Sequence, residues 1–421
     1  MRLGENFCPG ILHAVPAKDG QLIRIRVPGG LISAAQLAAV ASLAASHANG
    51  EIELTSRSNL QLRAIQPSSL PYIVTTLTEA GLLPSSAHDR VRNLVTSPFA
   101  GIDPAASLDT RPLIRALDQR LIANDLFLQL HPKFTFGIEA NPTRFTYEVE
   151  DLGLQAFDST HRLSLSLAGK DTGCSVAPED AVVCLLTAAE ACIDLAKQHN
   201  VPVRTKRLTA IPGVLETLLK TLSPLLEPTT NPARGPDVRR DVIGPHPALT
   251  PGHLNLVPSI PLGHLTASQA TNIATLATQH NADLHLAPWR GIVLGNLTPK
   301  AAALIAPQLA ALGLPLDATN GFEGIAACAG ISRCDASLAD VRADAARLAT
   351  YLATRPHIPG WTIHLSGCEK QCALRHSASA ALIATPAGYT LRLPNHPEAH
   401  SLPSAAAIAS ILQSHTEALA S

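Results

Sequence analysis

Four cysteines in the C-terminal quarter carry the most explicit chemistry in the chain. They read CAGISRC from Cys328 to Cys334 and GCEKQC from Gly367 to Cys372. The spacings are C-x5-C and C-x3-C, with 33 residues between the two pairs. Four thiolates brought together can hold an iron–sulfur cube, whose irons prefer soft sulfur ligands. Other readings stand beside this one. Structural zinc also takes four cysteines, although its pairs are usually about two to four residues apart, which leaves C-x5-C outside the pattern. Disulfides need an oxidising compartment. Free cysteines also bury well as small apolar residues.

Regular elements must position these thiols. Asp335 follows the first pair, and Ser337 with Asp340 predicts a capping-box-like start for a helix running through Leu352. Residues 361–365 predict a strand that delivers the second pair at its C-terminal end. Both pairs then sit on loops held by regular elements, as a rigid cofactor site requires.

A second constellation is cationic. In the strand predicted over residues 60–65, Arg57, Asn59, Gln61 and Arg63 alternate with Leu60, Leu62 and Ala64. The strand predicted over residues 21–27 places Arg24 and Arg26 opposite Ile23, Ile25 and Val27. One such face alone would be an ordinary solvated surface. Two adjacent strands with basic faces make a planar anion-binding wall.

The bulk composition narrows the function classes. With 421 residues the chain predicts several domains and ample core. A formal net charge of -1 gives no general affinity for nucleic acid or a membrane surface. Aromatic residues make up only 3%, too few for stacking platforms. The first eight residues hold no apolar signal-peptide core, and no later apolar run is long enough to span a bilayer, so a cytoplasmic protein is expected. In that compartment eight cysteines favour metal or catalysis over disulfides. Cys174, Cys184 and Cys192 fall in apolar or helical stretches and read as packing residues, whereas Cys8 opens a Cys-Pro-Gly turn.

The chain also repeats itself. Residues 27–36, VPGGLISAAQ, match residues 260–269, IPLGHLTASQ, at a constant offset of 233. Pro, Gly and Gln coincide, and an alanine-rich helix follows in both. Each copy reads strand–helix–strand–strand–helix, which suggests a ferredoxin-like α+β unit. Two copies far apart would pair about a pseudo-two-fold axis and leave a cleft between halves. Residues 223–252 contain seven prolines and predict a linker or extended crossover. The expected domains are 1–85 and 253–318 for the halves, 86–222 for a first lobe, 223–252 for the linker and 319–421 for the cysteine lobe.

C-x5-C followed by G-C-x3-C is the signature of the sirohaem-type sulfite and nitrite reductases, and the chain resembles that superfamily. Within it the chain looks most like the precorrin-3B synthases, which commonly carry Lys in G-C-x-K-x-C and begin with C-P-G. Here those positions are Lys370 and Cys8-Pro9-Gly10. Arg92-Asn93 resembles the superfamily's R-N-V segment, and His131-Pro132-Lys133-Phe134-Thr135 resembles its P-R-K-F-K segment. Arg57, Arg92 and Lys133 match cationic positions. Thr135 stands where reductases have a second lysine, and Lys370 where they commonly have Asn.

The resemblance implies the fold: an α+β protein of two ferredoxin-like halves with two sulfite-reductase haemoprotein-type α/β lobes. It implies a [4Fe–4S] cluster on Cys328, Cys334, Cys368 and Cys372. It implies a tetrapyrrole contacted by Arg24, Arg26, Arg57, Asn59, Gln61, Arg63, Arg92, Asn93, Lys133 and Lys370, with Arg57, Arg92 and Lys133 at the reacting centre. A mononuclear non-haem iron is implied as well, but no spacing in the sequence places its ligands. The implied reaction is oxygen-dependent hydroxylation of precorrin-3A with γ-lactone formation, in aerobic cobalamin synthesis. O2 and an electron donor, NAD(P)H through a reductase or a ferredoxin, are the implied partners. The alternative is a sulfite or nitrite reductase in which sirohaem is bound beside the cluster and Cys372 bridges the two.

Overall fold

Ser33 and Thr266 occupy corresponding points of the two repeats, and each starts a helix in the same way. The Ser33 hydroxyl accepts the Gln36 amide at 3.1 Å, while Gln36 Oε1 accepts the Ser33 amide at 3.0 Å. Thr266 and Gln269 repeat this box at 3.1 and 2.8 Å. Each box satisfies two amides that the first helical turn leaves without partners. Each glutamine also sends Nε2 to the carbonyl that ends the next helix, Gln36 to Ala80 and Gln269 to Leu312. The helices so started are Ala34–His47 and Ala267–His280. They pack on one another, with Leu37, Val40, Ile273 and Leu276 in a single core shared by both halves. Each such burial contributes roughly 1.5–3 kcal/mol.

The computed structural model describes residues 8–141, 149–156, 162–230, 242–356, 358, 360–374, 378–393, 401–402 and 411. Among them the two halves exchange strands. One sheet runs Val15–Ala17, Gly20–Ile25, Leu60–Ile65, Glu51–Leu54 and His264–Thr266, the last supplied by the other half. The second runs Gly244–Pro247, Leu254–Val257, Gly291–Leu297, Asp283–Ala287 and Leu31–Ile32, again with a borrowed edge. The tight turns Pro28–Gly30 and Pro261–Gly263 make the exchange. A Cβ on Gly30 would lie 2.4 Å from the Leu286 carbonyl oxygen, so the borrowed strand could not seat with a side chain there. At the equivalent of Gly29 the second copy has Leu262 at φ 53, an uncommon conformation for a bulky residue. Its side chain joins the core of the cysteine lobe, a contact that offsets the strain.

The first lobe is a six-stranded sheet: Glu227–Pro228, Lys170–Val176, Leu163–Leu167, Leu152–Gln155, Phe136–Glu139 and Leu94–Val95. The long helix Ala181–His199 packs against it. Cys184 and Cys192 lie in this core, and burial pushes both thiols up to about 12. The proline-rich stretch is not wholly a linker. Glu227–Pro228 and Gly244–Pro247 are edge strands, where proline is tolerated because no neighbour needs its missing amide hydrogen. The middle of that stretch, 231–241, lies outside the described residues.

Among the described residues the cysteine lobe has five strands, in the order Ile325–Ala327, Ile363–Ser366, Ala380–Thr385, Gly388–Arg392 and Ser401–Leu402. Its helix is Val341–Leu352, and the residue that caps it is Asp340, whose carboxylate accepts the Ala343 amide at 3.2 Å. The expected capping box on Ser337 is absent. The Ser337 hydroxyl bonds the Ala339 carbonyl instead, because the chain between them still belongs to the cysteine loop.

Candidate functional site

Ile325–Ala327 and Ile363–Ser366 are adjacent and parallel. The Cys328–Cys334 loop leaves the C-terminal end of the first, and Cys368 follows the C-terminal end of the second. Open sheets place ligand sites at such carboxyl ends. The two loops are stitched together. The Cys328 amide bonds the Leu365 carbonyl at 3.2 Å, the Gly367 amide bonds Cys328 Sγ at 3.2 Å, and the Leu338 amide bonds the Gly367 carbonyl at 2.8 Å. A Cβ on Gly367 would lie 1.9 Å from Ser337 Oγ, so this close approach requires glycine.

Cys328, Cys334 and Cys368 are partly buried and Cys372 is exposed. Among the described residues no three His, Cys, Asp or Glu side chains converge tightly enough to hold a single metal ion. The donor set fits a cluster: four thiols on two facing loops, one of them already accepting a main-chain amide, as cluster thiolates do. The described residues offer no comparable set for a separate mononuclear iron.

The cysteine loops are tied to both ferredoxin-like halves. Lys18 Nζ donates to the Ile331 carbonyl at 2.8 Å, and Arg63 Nη2 to the Arg333 carbonyl at 2.7 Å. Arg290 Nη2 donates to the Ala373 carbonyl. Glu51 takes Arg333 at 2.8 Å and Arg342 at 3.2 Å, with the His264 ring at 3.6 Å. The His264 contact first, then Arg333 and Arg342, holds the Glu51 carboxyl far below the usual carboxylate range despite its partial burial. Glu51 thus joins the first half, a strand borrowed from the second and the cysteine lobe.

The expected anion-binding wall exists as two neighbouring strands, but much of it is already occupied. Arg24 pairs with Gln61 through Nη2 and Oε1 at 2.9 Å, and Gln61 Nε2 donates to Glu53. Asn59 Oδ1 accepts the Val27 amide at 2.8 Å and fixes the strand beside it. Arg63 is gripped by Asp19 through two bonds of 3.0 Å. Gln61, Asn59 and Arg63 are therefore buried structural groups and not open ligands for a macrocycle. The strict alternation also slips at Ala64, at φ 56 beside a register shift, so Ile65 and not Ala64 reaches the core.

Arg92 needs a similar correction. Its Nε and Nη2 hold Asp118 at 2.8 and 2.7 Å, and the side chain is 5% exposed. A bidentate buried pair of this kind commits the guanidinium to the fold. Asn93 is a positioning residue: its Nδ2 reaches the Pro132 and Phe134 carbonyls and sets the His131–Thr135 turn. On that turn Lys133 is half-buried, and its ammonium has no hydrogen bond or ion pair among the described residues. Thr135 faces inward, taking Asp151 Oδ2 on its amide and giving its hydroxyl to the Lys133 carbonyl. Lys370 is exposed on the Cys368–Cys372 loop.

Arg26 is the exceptional cation. It is 2% exposed, and its Nε and Nη1 have no hydrogen-bond partner among the described residues. Burial, then the neighbouring Arg24, pulls its pKa well below the ordinary arginine value, to about 9, with Asp89 and Cys8 acting the other way. Asp89 accepts the Ile11 and Leu12 amides, both at 2.9 Å, and so folds the Cys8-Pro9-Gly10 turn over this arginine. Cys8 is buried there at 7% exposure. This buried cation with unfilled donors lies close to Arg24 and Arg57, a grouping whose chemistry suits an anion.

Sequence reading missed Asp19, Glu51, Glu53, Asp118, Arg290, Arg333 and Arg342. These are scattered single charges. The one available signal was Arg333, which lies inside the cysteine motif itself.

Comparisons with known proteins agree with this architecture. The ferredoxin-like half domain of nitrite and sulfite reductases matches residues 13–80 and 246–312. A precorrin-3B synthase from Sinorhizobium sp. is 28% identical over 96% of this chain and 85% of its own length. A ferredoxin–nitrite reductase from Synechococcus elongatus is 27% identical over 87% of this chain and 77% of its own. In fold, the structure of the Mycobacterium tuberculosis NirA protein superposes with a TM-score of 0.76 at 20% identity, covering 93% of this chain and 79% of that one. The chain thus contains two segments similar to the half domain of nitrite and sulfite reductases, and its similarity to a precorrin-3B synthase runs nearly end to end. No helix among the described residues is long and apolar enough to cross a membrane.

Proposed function

We propose that this chain is an oxidoreductase of the precorrin-3B synthase kind, which hydroxylates precorrin-3A with O2 and closes a ring acetate as a γ-lactone. The observation that carries the reading is Arg26, a buried guanidinium with unfilled donors beside Arg24 and Arg57. Such a group calls for a carboxylate, and an acidic tetrapyrrole supplies several. The end-to-end likeness to a precorrin-3B synthase supports the same substrate class.

In this reading Arg24, Arg26 and Arg57 bind and orient the macrocycle through its carboxylates. Lys133 lies on the turn fixed by Asn93 and holds a further negative group. Cys328, Cys334, Cys368 and Cys372 hold a [4Fe–4S] cluster, which supplies single electrons when bound. Overall, one oxygen atom of O2 enters the tetrapyrrole and the other leaves as water, with two electrons from an external donor and two protons from solvent.

Reduction of nitrite or sulfite on sirohaem is the rival activity, and relatives named nitrite reductases keep it in view. Thr135 argues against it. Stabilising charge that builds on a small anion calls for clustered cations, and here the second lysine position carries an inward hydroxyl. The test is mass analysis of the tetrapyrrole after incubation with isotopically labelled O2 and a reductant. Label in the product is expected, with negligible nitrite or sulfite turnover. Brisk anion reduction without labelled product would overturn the reading.

A further inference from the structure

Two arginines, one from each ferredoxin-like half, end on main-chain carbonyls beside cluster cysteines. Arg63, on Leu60–Ile65, bonds the carbonyl one residue before Cys334. Arg290, in the turn after Asp283–Ala287, bonds the carbonyl one residue after Cys372. The contacts bridge 270 and 83 positions of sequence. Neither arginine is placed there loosely. The Arg63 side chain is 7% exposed and is gripped by Asp19, with Glu53 at 3.7 Å. Arg290 holds φ 66, and its Cβ packs so close to Gly263 that a Cβ on that glycine would lie 2.5 Å from it. Each cysteine loop is thus held by a cation from a different half.

We propose that Arg63 and Arg290 are positioning residues for the cluster and that the charge balance around Arg63 sets its reduction potential. This rests on the cluster assignment made above. Cluster potentials follow net charge, hydrogen bonding at the sulfurs and solvent exposure. Reduction adds negative charge, so a nearby cation favours the reduced form and a nearby carboxylate opposes it. Arg63 is bonded to the carbonyl one residue from Cys334, and its cation is paired with Asp19 and lies 3.7 Å from Glu53. Beyond Arg63 the charges alternate through Glu53, Arg333, Glu51 and Arg342, so removing one member uncovers its neighbours.

The sign of the effect distinguishes tuning from simple support. Arg63→Met removes a cation and uncovers Asp19 and Glu53, which lowers the potential. Asp19→Asn removes an anion from the same pair, which raises it. Arg290→Met lowers it from the opposite side. Arg63→Lys keeps the charge but loses the two-pronged grip, so the potential stays near that of the parent while a chelator strips iron faster.

The experiment is a redox titration of anaerobically reconstituted full-length protein, followed by electron paramagnetic resonance. A tenfold or greater change in the reduction equilibrium is expected for Arg63→Met, about 59 mV for one electron, with the opposite sign for Asp19→Asn. Potentials that match the parent in both variants, or that move in the same direction, overturn the inference while leaving the cluster assignment intact. If Arg63→Met takes up no cluster, Asp19→Asn and Arg290→Met decide the matter: opposite shifts support the inference, and parent-like values overturn it. Absence of iron and sulfide from the parent protein overturns the assignment and this inference together.

Discussion

Replacing Arg26 with methionine should stabilise the ligand-free fold and weaken its hold on an acidic tetrapyrrole. Methionine keeps much of the apolar stem and removes the charge. In the folded chain burial, then Arg24, pull the Arg26 pKa down to about 9, so holding this charge inside the protein costs on the order of several kcal/mol. Relaxation and the lost side-chain packing reduce the gain, so a stabilisation of about 1–3 kcal/mol is expected. The guanidinium keeps its proton at every pH the fold withstands, so the stability gain of Arg26→Met should persist across pH. Binding moves the other way, because lost hydrogen bonds to a charged partner weaken affinity by roughly 1.5–3 kcal/mol, about ten- to hundredfold. The assays are urea unfolding of both proteins across pH, and titration with a polycarboxylated tetrapyrrole. A variant that is less stable than the parent and binds the ligand equally well would refute the reasoning, since Arg26 would then be an ordinary structural cation.

Three further outcomes are expected. Iron and acid-labile sulfide should each approach about four per chain in the parent, and Cys334→Ser should lose most of both; stoichiometric zinc without sulfide would remove the cluster. Gly367→Ala should cost about 1–3 kcal/mol and lower iron content, because its Cβ meets Ser337 Oγ at 1.9 Å. Adding Ser337→Gly to that chain should restore both, and failure of the rescue would place the damage elsewhere. His285 is 3% exposed, bonds the Pro98 carbonyl at 2.9 Å and is held by burial at a pKa of about 4, below the usual 6.5. Below pH 6.5 the unfolded chain takes up a proton that the folded chain refuses, so the parent should lose about 3 kcal/mol relative to His285→Gln as pH falls to about 4. Parallel pH profiles for the two proteins would disprove it.

Short-range patterns in this chain were legible because the physics behind them is short-range. The box residues Ser33 and Gln36, repeated as Thr266 and Gln269, are three positions apart and declare both helix starts and the duplication. The cysteine spacing points to four candidate cluster donors without any fold, because thiol chemistry belongs to the residues themselves. Strand alternation also told which side of residues 60–63 is apolar, up to the slip at Ala64. It could not tell whether the polar side meets water, a ligand or more protein, because a period of two carries no information about what covers the face. That was decided by partners far along the chain: Asp19 for Arg63, Glu53 for Gln61, Asp118 for Arg92. The exchange of Leu31–Ile32 and His264–Thr266 between sheets is likewise tertiary, since it depends on two halves docking on a common core. Of all the basic residues the sequence offered, only packing shows that Arg26 is buried with donors unfilled, because desolvation is a property of the surroundings and not of the residue.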